Sequence, residues 1–438
     1  MKLKLSDNTV YGIKEKFENA INNKDELLKL KDYFNESEKI IKNILSYESL
    51  LKNETVDKEI IKYSFIKNGV TSKNTFLYVK EKNKFKKIGN IVKNIELSFL
   101  DIDGKYLKIE GFDDEYYINI ENVIEKENIS KKNERYKKYI LFNENIITDS
   151  KTSFFDQNNN LLFSLESSFQ LPIIIKEDNK YGVEFFGQLL YVNKDEVKSV
   201  VKVQNTSKKN SSGVGVLNYH FFYDDNNSEG AKVCNQIICH SKTQFQSHLD
   251  YLKDNNILTI TVEELELYID GKINLPKSVL ITIDDGWLME LGIKMLEENE
   301  MYGCVFLITS WYKNTLFRYH YKYIEFNSHG ENLHSVGVCP GGQGGAIKCL
   351  EKEKLISDLK VSSDKLGGSR VFAYPFYEYN NYSIEVLKET GYIMAFAGES
   401  NHGDNLVHVG SDKYRLPRFV VVDYTTLTDL EKYFSNIS

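Results

Sequence analysis

Leu280-Ile281-Thr282-Ile283-Asp284-Asp285-Gly286 is an apolar, β-branched run that stops at two carboxylates and a glycine. So short an apolar stretch, closed by turn residues, reads as a strand covered on both faces. Working outward, helical periodicity follows over 288–299 and precedes over 262–269 and 242–253. Further strands are expected at Val214–Tyr219, Cys304–Ile308, Tyr323–Asn327, Val371–Tyr374 and Met394–Ala397, and further helices over 350–365 and 381–390. Strand and helix alternate from 214 onward, which predicts an α/β domain with a parallel sheet and crossover helices, as a barrel or a doubly wound sheet.

In such a domain the reactive side chains stand at the carboxyl ends of the strands and in the loops that follow. Those ends carry His220 after Val216-Leu217-Asn218-Tyr219, Asp284-Asp285-Gly286, His329 and His334 after Ile324-Glu325-Phe326-Asn327-Ser328, and Tyr374-Pro375-Phe376 after Val371-Phe372-Ala373. Segments far apart in sequence thus share one address. Two imidazoles and a carboxylate can hold a divalent cation and leave positions open for water and substrate. On a helix the spacing His329-x4-His334 would turn the rings apart by about 500°. They can meet only through a turn, which Gly330 permits. Asp284 and Asp285 would point to opposite faces of an ideal strand. Leaving the strand at Gly286 lets both reach one pocket, one as a metal ligand and the other as a base.

The chain of 438 residues is 41% hydrophobic and 27% charged, which argues against wholesale disorder. With 56 basic and 63 acidic residues the formal charge is −7, which argues against a general nucleic-acid binder. No apolar run reaches the roughly 18 residues a membrane-spanning helix needs. Met1–Ser6 lacks the apolar segment of a signal peptide, so the chain is expected to be cytosolic or to be read here without its leader. Of five cysteines, Cys304 lies in a buried-strand pattern, while Cys234/Cys239 and Cys339/Cys349 form short-range pairs in loop-like stretches. Two local disulfides would suit an exported protein. Four unrelated thiols are the equal alternative, and neither pair has zinc-knuckle spacing.

Three parts follow. Over 1–64, Phe17, Ile21, Leu27, Leu28, Leu30 and Tyr33, then Ile40, Ile41, Ile44, Leu45 and Leu50, recur near a 3.6 period, with Ser37 as a helix cap between them. That predicts a helical hairpin. Over 65–205, apolar and polar residues alternate, with turns at Asn68-Gly69 and Asp103-Gly104. Lys105-Tyr106 through Tyr117-Ile118-Asn119-Ile120-Glu121-Asn122-Val123 is echoed by Lys180-Tyr181 through Tyr191-Val192-Asn193-Lys194-Asp195-Glu196-Val197. The repeat predicts two small strand-rich modules, the second similar to a bacterial SH3-like barrel. Such modules either bind cell-wall polymers or act as spacers. Val203–Gly213 is polar and turn-rich, which places a boundary before a third part at 213–438.

Residues 213 to 425 resemble the polysaccharide deacetylases of the NodB-homology type, carbohydrate esterase family 4. Ile281-Thr282-Ile283-Asp284-Asp285-Gly286 resembles that family's first motif, with Ile283 in place of an aromatic residue. Ser328-His329-Gly330-Glu331-Asn332-Leu333-His334 resembles the second, in the His-x4-His form of the secreted poly-N-acetylglucosamine deacetylases. Phe372-Ala373-Tyr374-Pro375-Phe376 resembles the third, and Leu416-Pro417-Arg418 the segment that supplies a late arginine. Val214–Ser241 and Phe245–Leu249 are similar to the lead-in of Firmicute surface members.

The resemblance implies a distorted (β/α) barrel behind the helical hairpin and SH3-like modules. It implies metal-dependent hydrolysis of N-acetyl groups on a cell-wall or surface polysaccharide, of peptidoglycan or poly-N-acetylglucosamine type, outside a Gram-positive cell. Asp285, His329 and His334 match the ligands of a divalent metal, zinc first, with cobalt or nickel as alternatives. Asp284 matches the general base, and a backbone N–H near Phe376 the oxyanion donor. Ala373 stands where an arginine is usual, so Arg418 is expected to orient Asp284 and keep it ionised. Leu427–Tyr433 lacks the usual late histidine, which leaves His220, His402 and His408 as candidates for the general acid, His220 alone with a strand-end address. Trp287, Tyr374, Pro375 and Phe376 are the expected substrate contacts. Trp287, Tyr374, Tyr377 and Tyr379 form either a sugar-stacking wall or core. Gly337–Gly345 lacks the Lys-Ser/Thr ending of a phosphate loop and reads as a rim loop. From other classes come a cell-wall-binding protein on an inactive deacetylase fold, and an O-acetyl esterase. The partner in each case is an acetylated glycan.

Overall fold

The computed structural model describes residues 65–109, 115–128, 134–227, 234–312, 321–399 and 403–438. The hairpin expected over 1–64 lies outside the described residues. The strand-rich part opens with β1 Asn68–Thr71, β2 Thr75–Glu81, β3 Lys84–Ile91, β4 Glu96–Asp103, β5 Tyr106–Ile109, β6 Tyr116–Asn119 and β7 Val123–Glu125. It continues with β8 Glu144–Thr148, β9 Thr152–Phe155, β10 Leu161–Leu165, β11 Gln170–Lys176, β12 Lys180–Phe185, β13 Gln188–Asn193 and β14 Val197–Lys202. Sheet order is β7-β1-β4-β5-β6-β2-β3 in the first half and β14-β8-β11-β12-β13-β9-β10 in the second. Adding seven to each label of the first gives the second. The 3-10 turns Ile120–Asn122 and Lys194–Glu196 occupy the same place, before the last strand of each half. The weak sequence echo is therefore the trace of a repeated topology. The halves join where β3 pairs antiparallel with β10, Ile91 opposite Phe163, so each covers the other's exposed edge. Tyr116 of the first half packs on Phe185 and Phe186 of the second at 5.4 and 5.2 Å between ring centres.

The remainder is a curved parallel sheet. Its strands are β15 Val214–Tyr219, β18 Leu258–Thr259, β19 Ser278–Ile283, β20 Gly303–Leu307, β21 Ile324–Ser328, β22 Val371–Ala373, β23 Met394–Phe396 and β24 Phe419–Val420. Their order is β23-β22-β21-β20-β19-β15-β24, with β18 on β19. The stretch that contains β24 bridges the two edges: Leu416 pairs with Phe396, and Phe419 and Val420 pair with β15. Two further short strands, β16 Phe221–Tyr223 and β17 Cys239–Ser241, pair with each other beyond β15. The helices are α1 Lys242–Asp254, α2 Val262–Ile269, α3 Glu290–Glu298, α4 Lys352–Lys365, α5 Asn381–Glu389 and α6 Leu427–Ser435.

Alternation along the strands sorts their side chains. Leu217, Tyr219, Ile281, Ile283, Val305 and Leu307 face a layer built from Phe245 and Leu249 of α1, Ile293 and Leu296 of α3 and Leu430 and Phe434 of α6. Val214, Val216, Leu280, Cys304, Phe306, Met394 and Phe396 fill the concave side. Period two then puts Asn218, Thr282 and Asp284 on that same concave side at its carboxyl end. At the opposite end, the Arg135 guanidinium joins the strand-rich part to the parallel sheet. It donates to Glu264 Oε2 at 2.6 Å and lies 4.2 Å from the centre of the Tyr302 ring.

Candidate functional site

Asp285 has φ +69°, and the Gly286 N–H bonds back to the Asp284 carbonyl at 2.9 Å. The chain therefore turns at Asp285 itself, one residue before the expected break. At the end of β21 the His329 N–H bonds to the Leu307 carbonyl at 2.9 Å, so the ladder carries this residue to the same level. Gly330 then turns with φ +87°, where a side chain would meet Leu333 at 3.0 Å. Asp358 of α4 accepts from the Glu331 and Asn332 N–H groups at 2.8 Å each, and Leu333 is fully buried beneath the turn. Those anchors return His334 beside His329, their ring centres 5.5 Å apart.

Three donors converge. Asp285 Oδ1 lies 3.2 Å from His329 Nε2 and 3.3 Å from His334 Nε2, and one ligand atom from each residue lies within 4.8 Å of the others. Among the described residues this is the sole such cluster of histidine, cysteine, aspartate or glutamate. His329 Nδ1 bonds to the Ala373 carbonyl at 2.8 Å, which places its proton on that nitrogen and turns the Nε2 lone pair inward. Asp285 Oδ1 is buried without a well-formed hydrogen bond. An orphaned carboxylate oxygen facing two imidazole nitrogens is a donor set that fits a divalent cation. Burial pushes the Asp285 carboxyl up, but the His329 ring 3.2 Å away and the charges of the neighbouring histidines outweigh it and bring it to about 2.

Beside this cluster, Arg418 is wholly buried and donates from Nη1 to Asp284 Oδ1 at 2.8 Å and from Nε to the Ala397 carbonyl at 2.7 Å. Burial would raise the Asp284 carboxyl. The Arg418 charge, with those of His329 and His220, instead holds it below the usual range. His220 is buried at the end of β15, and its Nδ1 has no hydrogen-bond partner. Burial lowers its pKa, and the opposing pull of Asp284 and Asp285 does not restore it.

The expected substrate contacts divide. Trp287 is 40% exposed and meets Phe221 edge-on at 4.9 Å. Phe376 is half-buried with its ring 4.2 Å from His334. Tyr374 and Pro375 are not at the surface. Tyr374 is fully buried against Phe372, stacks on Tyr379 at 4.8 Å and donates to the Tyr414 carbonyl, while Pro375 is buried in the turn. Both belong to the packing that sets the turn, because β22 still places the side chain at 374 in the core. His408 sits at the amino end of β15, bonded to Asp404 and the Ser212 carbonyl, away from the cluster; His402 lies outside the described residues. Cys234–Cys239 and Cys339–Cys349 are both disulfides, and Cys304 is a buried thiol. Arg418 lies where the late segment was expected to bring it. Sequence reasoning missed two neighbours. Trp311, 53% exposed, stands 6.4 Å from the His334 ring. Asn218 is a buried amide; a lone amide inside an apolar strand was the signal for it.

Residues 272–395 match the family model described as polysaccharide deacetylase. Over 164 residues the chain is 25% identical to the Bacillus subtilis (strain 168) protein YxkH, which is named provisionally as a polysaccharide deacetylase. That alignment spans 36% of this chain and 58% of the length of YxkH. Among solved structures, similarity extends to a de-N-acetylase from Aggregatibacter actinomycetemcomitans, at 23% identity and TM-score 0.42 over 50% of this chain and 99% of that one. It extends also to IcaB from Ammonifex degensii, at 20% identity and TM-score 0.43 over 51% and 97%.

Proposed function

We propose that this chain, whose residues 272–395 match the polysaccharide deacetylase family model, hydrolyses N-acetyl groups from a cell-wall or surface polysaccharide. The observation that carries the proposal is the meeting of Asp285, His329 and His334 beside a buried Asp284–Arg418 pair. Asp285, His329 and His334 would hold a divalent ion, zinc being the ion best matched to two imidazoles and one carboxylate. When bound, such an ion supplies Lewis-acid polarisation of the acetyl carbonyl and a more acidic water.

The chain's own groups take the remaining roles. Asp284, kept ionised and fixed in place by Arg418, accepts the proton of the attacking water. A backbone N–H near Phe376 would meet the developing oxyanion. His220 gives a proton to the departing nitrogen. Trp287 and Phe376, with Trp311, line the approach for sugar rings. The repeated strand order of 65–205, each half with a 3-10 turn before its last strand, supports the reading of two SH3-like modules ahead of a catalytic domain at 213–438. Two local disulfides favour an extracellular or cell-surface site of action, and no helix among the described residues is long and apolar enough to cross a membrane.

The test is acetate release from chitooligosaccharides, poly-N-acetylglucosamine and peptidoglycan, before and after chelation and zinc return. Release that chelation stops and zinc restores supports the proposal. Zinc binding without acetate from any amide substrate leaves a glycan-binding protein, and release from O-acetylated xylan alone an esterase.

A further inference from the structure

Tyr377 makes contacts that its place in the sequence does not suggest. Expected as wall or core, it instead reaches both reactive sides of the site. It follows β22 in a turn where Phe376 has φ +56° and Tyr377 φ +61°. Two consecutive side-chain-bearing residues in left-handed conformation are strained, and such strain persists where the surroundings over-determine it. Here the surroundings are specific. The Tyr377 hydroxyl donates to Asn218 Oδ1 at 2.8 Å, and the same oxygen lies 3.5 Å from His220 Nε2. The face of its ring lies 5.4 Å from the Arg418 guanidinium carbon. A side chain on Gly398 would come within 2.8 Å of Tyr377 Cγ, so only glycine there leaves room for the ring.

The proton positions follow from the acceptors. Asn218 Nδ2 faces the Tyr219 carbonyl at 3.3 Å and Thr282 Oγ1 at 3.5 Å. The Thr282 hydroxyl spends its own proton on the Leu217 carbonyl at 2.9 Å. The amide nitrogen therefore points at two acceptors and Asn218 Oδ1 at Tyr377, which must donate to it. The phenol oxygen then has lone pairs left for one further partner, and that partner is His220 Nε2.

We propose that Tyr377 is the positioning residue for His220: its oxygen accepts the Nε2 proton, which makes Nδ1 the nitrogen that gains and loses a proton, while its ring braces the arginine that holds Asp284. The inference rests on the deacetylase reading, because it concerns the acid of that reaction. Asp284, Asp285, Arg418, His329, His334 and His240 also act on His220 through their charges, and a Tyr377→Phe change leaves all of them in place.

The test is long-range nitrogen–proton NMR of the histidine rings in the zinc-loaded full chain, with His220→Gln to assign the signal. In the unsubstituted protein the neutral His220 ring carries its proton on Nε2; an Nδ1 proton overturns the proposal without any variant. In Tyr377→Phe the charged ring loses its acceptor, so the His220 titration and the alkaline limb of kcat both move to lower pH. kcat falls about 10-fold, less than the 10²–10⁴-fold expected for losing the acid itself. An unchanged tautomer and titration in Tyr377→Phe also overturns it. If no glycan yields acetate, the deacetylase reading fails, while the NMR result still decides the role of Tyr377.

Discussion

Burial and charge act in opposite directions on the residues of the site, and the balance sets their roles. Asp284 and Arg418 are both removed from water, and their 2.8 Å contact replaces the lost hydration. His220 has no such partner, so burial prevails and its pKa lies below that of an ordinary histidine. As the proposed general acid, His220 must start protonated. Activity should therefore decline as pH rises through a value below about 6.5, the unperturbed histidine value. His220→Ala should abolish that limb and lower kcat by roughly 10²-fold or more. A kcat–pH profile unaltered by this change would remove His220 from the reaction. Asp284, Asp285, His329, His334, His220 and Arg418 are legible in the sequence because each sits at a strand end or in a matching motif. Tyr374 misleads because the same motif includes residues that only shape the turn. Trp311 and Asn218 escape because neither has a spacing that announces it.

At the scale of elements, the strands and helices of the parallel sheet are legible to within about two residues, since buried strands and amphipathic helices carry the two simplest periodicities. β16, β17, the two-residue strands β18 and β24, and α6 are not. The first two have three residues each and exist only by pairing with one another. α6 is nine residues, too short to be stable alone, and gains from the Thr426–Asp429 capping box and from burial of Leu430 and Phe434. The rim loop after His334 is fixed from two directions. Glu378 accepts from the Gln343 and Gly345 N–H groups at 2.6 and 2.7 Å, and Cys339–Cys349 closes a separation of ten residues. A loop of that length gains up to about 3 kcal/mol from its cross-link. Replacing both cysteines by serine should speed limited proteolysis within 336–349 while the zinc content stays the same. An unaltered cleavage rate would mean that the Glu378 bonds suffice alone.

At the scale of the molecule, the chemistry is gathered by topology. β15, β19, β21 and β22 are well separated along the chain, yet they and the segment before β24 deliver His220, Asp284, Asp285, His329, Phe376 and Arg418 to one end of one sheet. The strand-rich part repeats a single order twice, which two echoing segments reveal in the sequence, but the shared edge between β3 and β10 depends on a pairing no local pattern encodes. The proposed function requires Asp285, His329 and His334 to hold one divalent ion with Asp284 alongside. Anomalous diffraction at the zinc edge from crystals of the full chain tests it most directly. One peak per chain is expected, within about 2.0–2.2 Å of Asp285 Oδ1 and of Nε2 of both histidines. A peak elsewhere, or none at saturating zinc, would contradict it.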